Sequence, residues 1–130
     1  MITDFMTEVE RIKRVTFSNE RQIQSVIAIR RHMVEHYDQE LGLDLLATEH
    51  CISKTHLIRL FKRYYGHTPN QCLIEIRIKE AKAFLADGMS VTDACFQVGF
   101  NSLGSFSSLF SRKVGISPSE YRKRQFSRRL

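Results

Sequence analysis

Apolar residues recur along this chain at three- and four-residue intervals and nowhere in sustained alternation, which predicts helices rather than sheet. Ile23, Val26, Ile27, Met33, Val34 and Tyr37 mark a first helix to about Asp38, with Ser18-Asn19 as its cap and Gln22 in capping-box position. Residues 1–18 carry no strong pattern and read as an arm or a weak helix. Gly42 ends this segment, and Asp44 is expected to cap a short second helix holding Leu45, Leu46 and Ala47 that stops near Cys51. Ser53 caps a third helix with the stripe Leu57, Leu60, Phe61 and Tyr64, closed by Gly66. Thr68-Pro69 opens a fourth, running to about Asp87. Its apolar residues cover a wide arc, with Leu73, Ile76 and Phe84 on one side and Ile74, Ile78, Ala81 and Leu85 on another. A helix with two apolar sides must touch two bodies.

The remaining segment follows the same plan. Ser90, with Asp93 in capping-box position, starts a fifth helix through Val98, and Gly99 makes the turn. Asn101 or Ser102 caps a sixth helix ended by Gly115, and Ser117-Pro118-Ser119-Glu120 opens a seventh that leads into a basic tail. The frame Leu57, Phe61, Gly66, Pro69 returns as Phe106, Phe110, Gly115, Pro118, each residue 49 positions later. Both prolines of the chain fall in this frame. A repeat of this length means two helical units built on one plan. The predicted fold is all-α: seven helices forming two helix-turn-helix subdomains joined by a long linker helix. The divisions are 1–18 as arm or linker, 19–68 as first subdomain, 69–87 as linker helix and 88–130 as second subdomain.

Charge sharpens the picture. Residues 1–52 hold six Lys/Arg against nine Asp/Glu, whereas residues 53–130 hold fourteen against five. The basic excess begins with the first copy of the repeat, as it would for a polyanion partner. No apolar run approaches the ~20 residues needed to cross a bilayer, and the acidic start lacks the features of a secretion signal, so a cytoplasmic protein is expected. Cys51, Cys72 and Cys95 form neither a disulfide framework nor a CxxC pair, and read as small buried thiols.

Residues 43–122 resemble the DNA-binding region of the AraC/XylS family of bacterial regulators. The resemblance rests on Leu46-Ala47, Ile52-Ser53, Leu57…Leu60-Phe61-Lys62…Gly66 and Arg77-Ile78-Lys79-Glu80-Ala81-Lys82…Leu85. In the second half it rests on Val91-Thr92-Asp93-Ala94, Val98-Gly99-Phe100-Asn101, Phe106…Phe110 and Gly115-Ile116-Ser117-Pro118…Tyr121-Arg122. It implies binding to promoter DNA, often with activation through RNA polymerase, and a stand-alone type or a fragment of a longer regulator. It implies no cofactor, and no small-molecule effector site is evident. Cys72 departs from a usual aromatic and Cys95 from a usual Ala.

The third and sixth helices are then the candidate readers of two adjacent major-groove segments, reached by one chain as a monomer. By position, Thr55, Ile58 and Arg59 are groove readers, and the Arg59 fork can bond two acceptors on guanine. Lys54, His56, Lys62 and Arg63 suit phosphate or flanking contacts. In the second unit Ser102, Leu103, Ser105 and Ser108 hold reading positions, and Arg112 and Lys113 can hold backbone. Short hydroxyls favour loose contacts, so the first unit is expected to carry most of the specificity.

Two rivals differ in class. His32-Met33-Val34-Glu35-His36 matches HxxEH, with two histidines one turn apart beside a carboxylate, as in a zinc hydrolase. That chemistry needs a third ligand and a cleft. Alternatively, the fold serves as a protein-interaction module or anti-activator without DNA, a reading supported by the serine-rich sixth helix.

Overall fold

The computed structural model describes the backbone of residues 2–129, and the side chains in that range apart from 2–6, 16–18 and 129. Among the described residues there are seven helices and no strand: α1 (Ile2–Glu35), α2 (Leu43–Glu49), α3 (Lys54–Tyr65), α4 (Pro69–Ala86), α5 (Val91–Gln97), α6 (Leu103–Val114) and α7 (Pro118–Arg129).

Local chemistry sets most of the boundaries. Ser53, Ser90 and Ser102 each sit in extended backbone and accept the N–H three residues on, at 3.2, 3.1 and 3.2 Å. Thr68 does more: its hydroxyl accepts Gln71 N–H at 3.1 Å, while the Gln71 side chain accepts Thr68 N–H at 2.9 Å. That complete capping box fixes the start of α4. At α7 only half the box forms. Ser117 Oγ accepts Glu120 N–H, and the Glu120 carboxylate pairs forward with Arg124 at 3.0 Å.

Two boundaries differ from expectation. α1 runs unbroken from Ile2, so Asn19 lies within the helix instead of capping it; Ser18, whose side chain lies outside the described set, is also mid-helix. The reason is local: no Gly or Pro interrupts residues 7–22, and Glu8 and Arg11 pair one turn apart at 2.6 Å. At α2 the cap is Gly42, not Asp44. Asp44 stands in the first turn instead, where a carboxylate suits the helix dipole, and it pairs with Lys54 at 2.7 Å.

Two cores form around one spacer. Val26, Ile29 and Met33 of α1 meet Leu46, Ala47, Leu57, Leu60 and Phe61, with Cys72 and Leu73 from the start of α4. Ile78, Ala81 and Leu85 from the far half of α4 meet Ala94, Cys95, Val98, Phe100, Phe106 and Phe110. Ile74 also packs against the second core and Ile76 against the first, so the two expected sides of α4 serve the two cores. Phe84 is the exception: expected with Leu73 and Ile76, it packs with the second core. No polar or charged side chain is buried among the described residues. Phe61 and Phe110 are the fully buried equivalents of the repeat, and truncating either to Ala would cost about 3–5 kcal/mol.

One arginine staples the lobes. Arg77, midway along α4, donates from Nε to Tyr37 O at 2.7 Å and from Nη2 to Gln39 O at 2.8 Å, and lies 5.7 Å over the Phe100 ring. Tyr37 packs against both cores. Gly99, at φ +98, approaches this point so closely that an added Cβ would meet Tyr37 O at 2.9 Å and Arg77 Nη2 at 3.0 Å. Only glycine satisfies both the left-handed turn and the contact. Arg122 of α7 does similar work on the loop after α4, bonding Met89 O at 3.0 Å and Gly88 O at 2.9 Å.

Candidate nucleic-acid interface

α3 and α6 are copies in construction. Each has 12 residues, starts from a serine cap and ends at a left-handed glycine, Gly66 or Gly115. Leu57, Leu60 and Phe61 anchor α3 in the first core, and Phe106 and Phe110 anchor α6 in the second. Buried anchors on one face turn the opposite face outward.

On α3 that face exposes Lys54, Thr55, Arg59, Lys62 and Arg63, while His56 and Ile58 are half-buried. Among the described residues no side-chain hydrogen bond or ion pair engages Arg59 or Lys62, so both cations stand open. Arg63 lies 5.5 Å over the Tyr64 ring. Lys54 is held by Asp44 of α2, an exposed pair of small energetic weight. Ile58 lines an apolar pocket of about 360 Å³ with Leu41, Leu43, Leu46 and Pro69, so only part of it faces outward.

On α6 the exposed residues are Leu103, Gly104, Ser105, Ser108, Arg112 and Lys113, with Ser102 just before them. The Ser102 hydroxyl oxygen accepts the N–H of Ser105, so the cap occupies one of its lone pairs. Lys113 lies 3.8 Å from Glu75 of α4. With the 49-residue offset, Ser108 stands where α3 has Arg59, and Arg112 where it has Arg63. The two faces therefore share an end of like charge and differ at their centres.

A family model described as a helix-turn-helix domain matches residues 46–124. A solved regulator from Chromobacterium violaceum, described as containing an AraC-type DNA-binding domain, superposes with a TM-score of 0.70 at 26% identity, covering 83% of this chain and 95% of that one. The chain belongs to the AraC-type helix-turn-helix family of transcription regulators. The DNA-binding domain of AdpA, solved with a target DNA, is similar at a TM-score of 0.76 and 28% identity, over 80% of this chain and 95% of that one. The melibiose operon regulatory protein of Escherichia coli is 33% identical over 98 residues, 75% of this chain and 32% of the relative. The MmsAB operon regulatory protein of Pseudomonas aeruginosa is 36% identical over 94 residues, 72% and 31% respectively. The chain spans about a third of the length of these two regulators, and 57% of an uncharacterised relative from Pseudoalteromonas carrageenovora that is 31% identical over 96 residues.

Within this AraC-type unit the first helix-turn-helix has a feature that pattern reading missed. The turn between α2 and α3 is made by Cys51 at φ +53, the counterpart of Gly99 in the second unit. A side chain in the left-handed region costs roughly 1–2 kcal/mol. Cys51 is exposed, which corrects the expectation of three buried thiols; Cys72 and Cys95 are buried, and burial pushes both thiols up from their ordinary pKa. Cys95 Sγ also points to Ser102 O at 3.7 Å, joining α5 to the cap of α6.

The HxxEH histidines lie at the end of α1, beside the loop after α2. His32 Nδ1 lies 3.2 Å from Nε2 of His50, a residue outside the motif, and the His36 ring meets His32 edge-on. Burial and the neighbouring His32 lower the pKa of His50. Among the described residues no three His, Cys, Asp or Glu side chains gather as a metal set would. No helix of the described residues is long and apolar enough to cross a membrane.

Proposed function

We propose that the protein binds double-stranded promoter DNA in a sequence-dependent way, with one chain placing α3 and α6 in successive major-groove segments. The observation that carries this is the pair itself: two identically capped reading helices on one shared spacer. α4 has 18 residues, about 27 Å at 1.5 Å per residue. With the girth of a lobe added, that length suits readers one DNA turn apart, roughly 34 Å. The Arg77 staple limits rotation of one lobe against the other, which favours a fixed half-site spacing.

Arg59 is the principal base reader, its open guanidinium suited to the O6 and N7 acceptors of guanine. Thr55 and the outward part of Ile58 sit beside it for methyl contact. Lys54, His56, Lys62, Arg63, Arg112 and Lys113 hold phosphates. Ser102, Leu103, Ser105 and Ser108 give α6 a shallow, weakly discriminating contact, so the second lobe positions more than it specifies. Activation by contact with RNA polymerase in the cytoplasm is the regulatory reading that the family supports.

Selection of bound sites from random duplexes, followed by titration of the winner against salt, tests the proposal. The expected site has two short blocks, the one under α3 better defined, and its affinity falls steeply with salt as phosphate contacts require. Binding without sequence enrichment, or none at low salt, would leave the protein-interaction reading in its place.

A further inference from the structure

We propose that the crevice between the two lobes, on the side of α4 away from Arg77, binds a small multivalent oxyanion: a molecule carrying two or more phosphate or carboxylate groups. With one lobe on each flank, α4 has two gaps along its length. Arg77 fills the first, bonding to Tyr37 O and Gln39 O. Glu75, Lys79 and Lys82, spaced four and three apart, share the other face, and Arg77 lies about 200° around the helix from Glu75. That second gap stays open as two adjoining cavities of about 290 and 180 Å³, which have Glu75 and Lys79 in common. Junctions between packed units are where small-molecule sites form most often.

The lining is basic and comes from both lobes. Arg30 of α1, His67 after α3, Lys79 and Lys82 of α4 and Lys113 of α6 surround a single carboxylate, that of Glu75. Four Lys/Arg against one Glu leave a local excess of positive charge that suits a dianion or trianion. Among the described residues no side-chain hydrogen bond or ion pair engages Lys79. Lys82 lies 5.7 Å from the Tyr121 ring, and Arg30 lies 5.9 Å over the Tyr65 ring, so aromatic contacts hold both stems along the walls.

Glu75 shows what the crevice accepts. Its Oε2 lies 3.7 Å from His67 Nε2 and its Oε1 3.8 Å from Lys113 Nζ, so one carboxylate already sits between cations of the two lobes. Both separations exceed the ~2.7–3.2 Å of a hydrogen bond, and neither contact is a full one. A ligand with two anionic groups brings oxygens that one carboxylate lacks and extends to Lys79 and Lys82, displacing Glu75 as an internal stand-in. Ile78 and Val114 give the carbon body of such a molecule an apolar wall. Of the side chains assigned to DNA only Lys113 lines the main cavity, with none of the groove readers, which argues for a small molecule here rather than the duplex. On the DNA reading above, a ligand that holds Lys113 inward takes one phosphate contact from α6, so the two partners oppose one another.

Isothermal titration calorimetry of the full chain without DNA tests the site, with pyrophosphate and citrate as separate probes and sodium chloride adjusted to hold ionic strength constant. At least one probe is expected to bind once per chain with Kd below about 1 mM, and the tighter of the two assigns the group as phosphate or carboxylate. The double variant Lys79→Gln, Lys82→Gln should weaken binding at least about tenfold, whereas Glu75→Gln, which removes the internal competitor, should tighten it about threefold or more. Lys123→Gln, on an exposed face of α7 outside the crevice, should leave it unchanged. None of these residues is buried, so each variant should keep the wild-type melting temperature. Absence of binding by both probes would overturn the proposal. So would an affinity indifferent to Glu75→Gln and to the double variant, or one weakened as much by Lys123→Gln, the mark of diffuse screening. Because no DNA is present, failure here is distinct from failure of the groove reading.

Discussion

Replacing Arg77 with Ala should loosen the two lobes while leaving both readers intact. Three contacts disappear together. The bond to the part-buried Tyr37 carbonyl, at 2.7 Å, is charge-assisted and worth about 1.5–2 kcal/mol. The bond to Gln39 O is exposed and contributes under about 1 kcal/mol. The guanidinium over Phe100 adds about 0.5–1 kcal/mol. The total is about 2–4 kcal/mol, a large share of a stability of roughly 5–15 kcal/mol. For a chain of this size it lowers Tm by roughly 6–15 °C. Arg77→Lys should recover less than half, because one ammonium cannot reproduce the fork between two carbonyls. The functional readout uses two duplexes in a fluorescence anisotropy titration, one with both blocks and one with only the block read by α3. Affinity for the two-block duplex should fall at least about tenfold, and affinity for the single block should hold. A Tm within about 2 °C of wild type would refute the staple. Equal losses on both duplexes would show that Arg77 does not govern spacing.

Three further outcomes are expected. Arg59→Ala should cost about 1–3 kcal/mol on a selected site and relax its readout beneath α3, whereas Ser108→Ala should cost under about 1 kcal/mol; parallel binding titrations compare them, and equal small losses would reject the unequal division of reading. Thiol labelling of the folded protein should modify Cys51 quickly and Cys72 and Cys95 only on unfolding, and Cys51→Gly should raise stability by about 0.5–1 kcal/mol in chemical denaturation by releasing the left-handed strain. His50 has a lowered pKa in the fold, so below about pH 6.5 the unfolded chain takes up a proton that the native protein resists. Stability from this residue is therefore present at neutral pH and lost on acidification, and His50→Gln should flatten the fall in Tm between pH 7.5 and 5.5; an unchanged slope would show that the His32–His50 contact is without consequence.

The helices were legible because their punctuation is chemical and local. Ser53, Thr68, Ser102 and Gly115 announce their boundaries by residue type, and the 49-residue repeat confirms each with a copy. The two-bodied character of α4 could be read from its wide apolar arc, and its two sides meet the two cores except at Phe84. Phe84 escapes the pattern because periodicity gives the face of a helix and not which neighbour lies beside its far end. The reach of α1 was hidden because residues 1–18 carry no strong apolar pattern and Ser18-Asn19 is a sequence that can also cap a helix. On the candidate interface, spacing alone identified the outward face of α3. It could not find that Asp44 holds Lys54, that Ile58 is half covered, or that a cysteine occupies the turn, because each depends on the angle between α2 and α3. The staple was least visible of all: Arg77 acts on two backbone carbonyls about 40 residues away, and carbonyls carry no sequence signature.

Methylation protection of guanine N7 along a selected duplex bears most directly on the pairing of α3 and α6 over a single DNA. Two protected clusters about 10 base pairs apart and on the same face are expected, with the cluster under α3 lost in Arg59→Ala. A single cluster, or two set half a turn out of phase, would contradict a pair of readers held on one spacer.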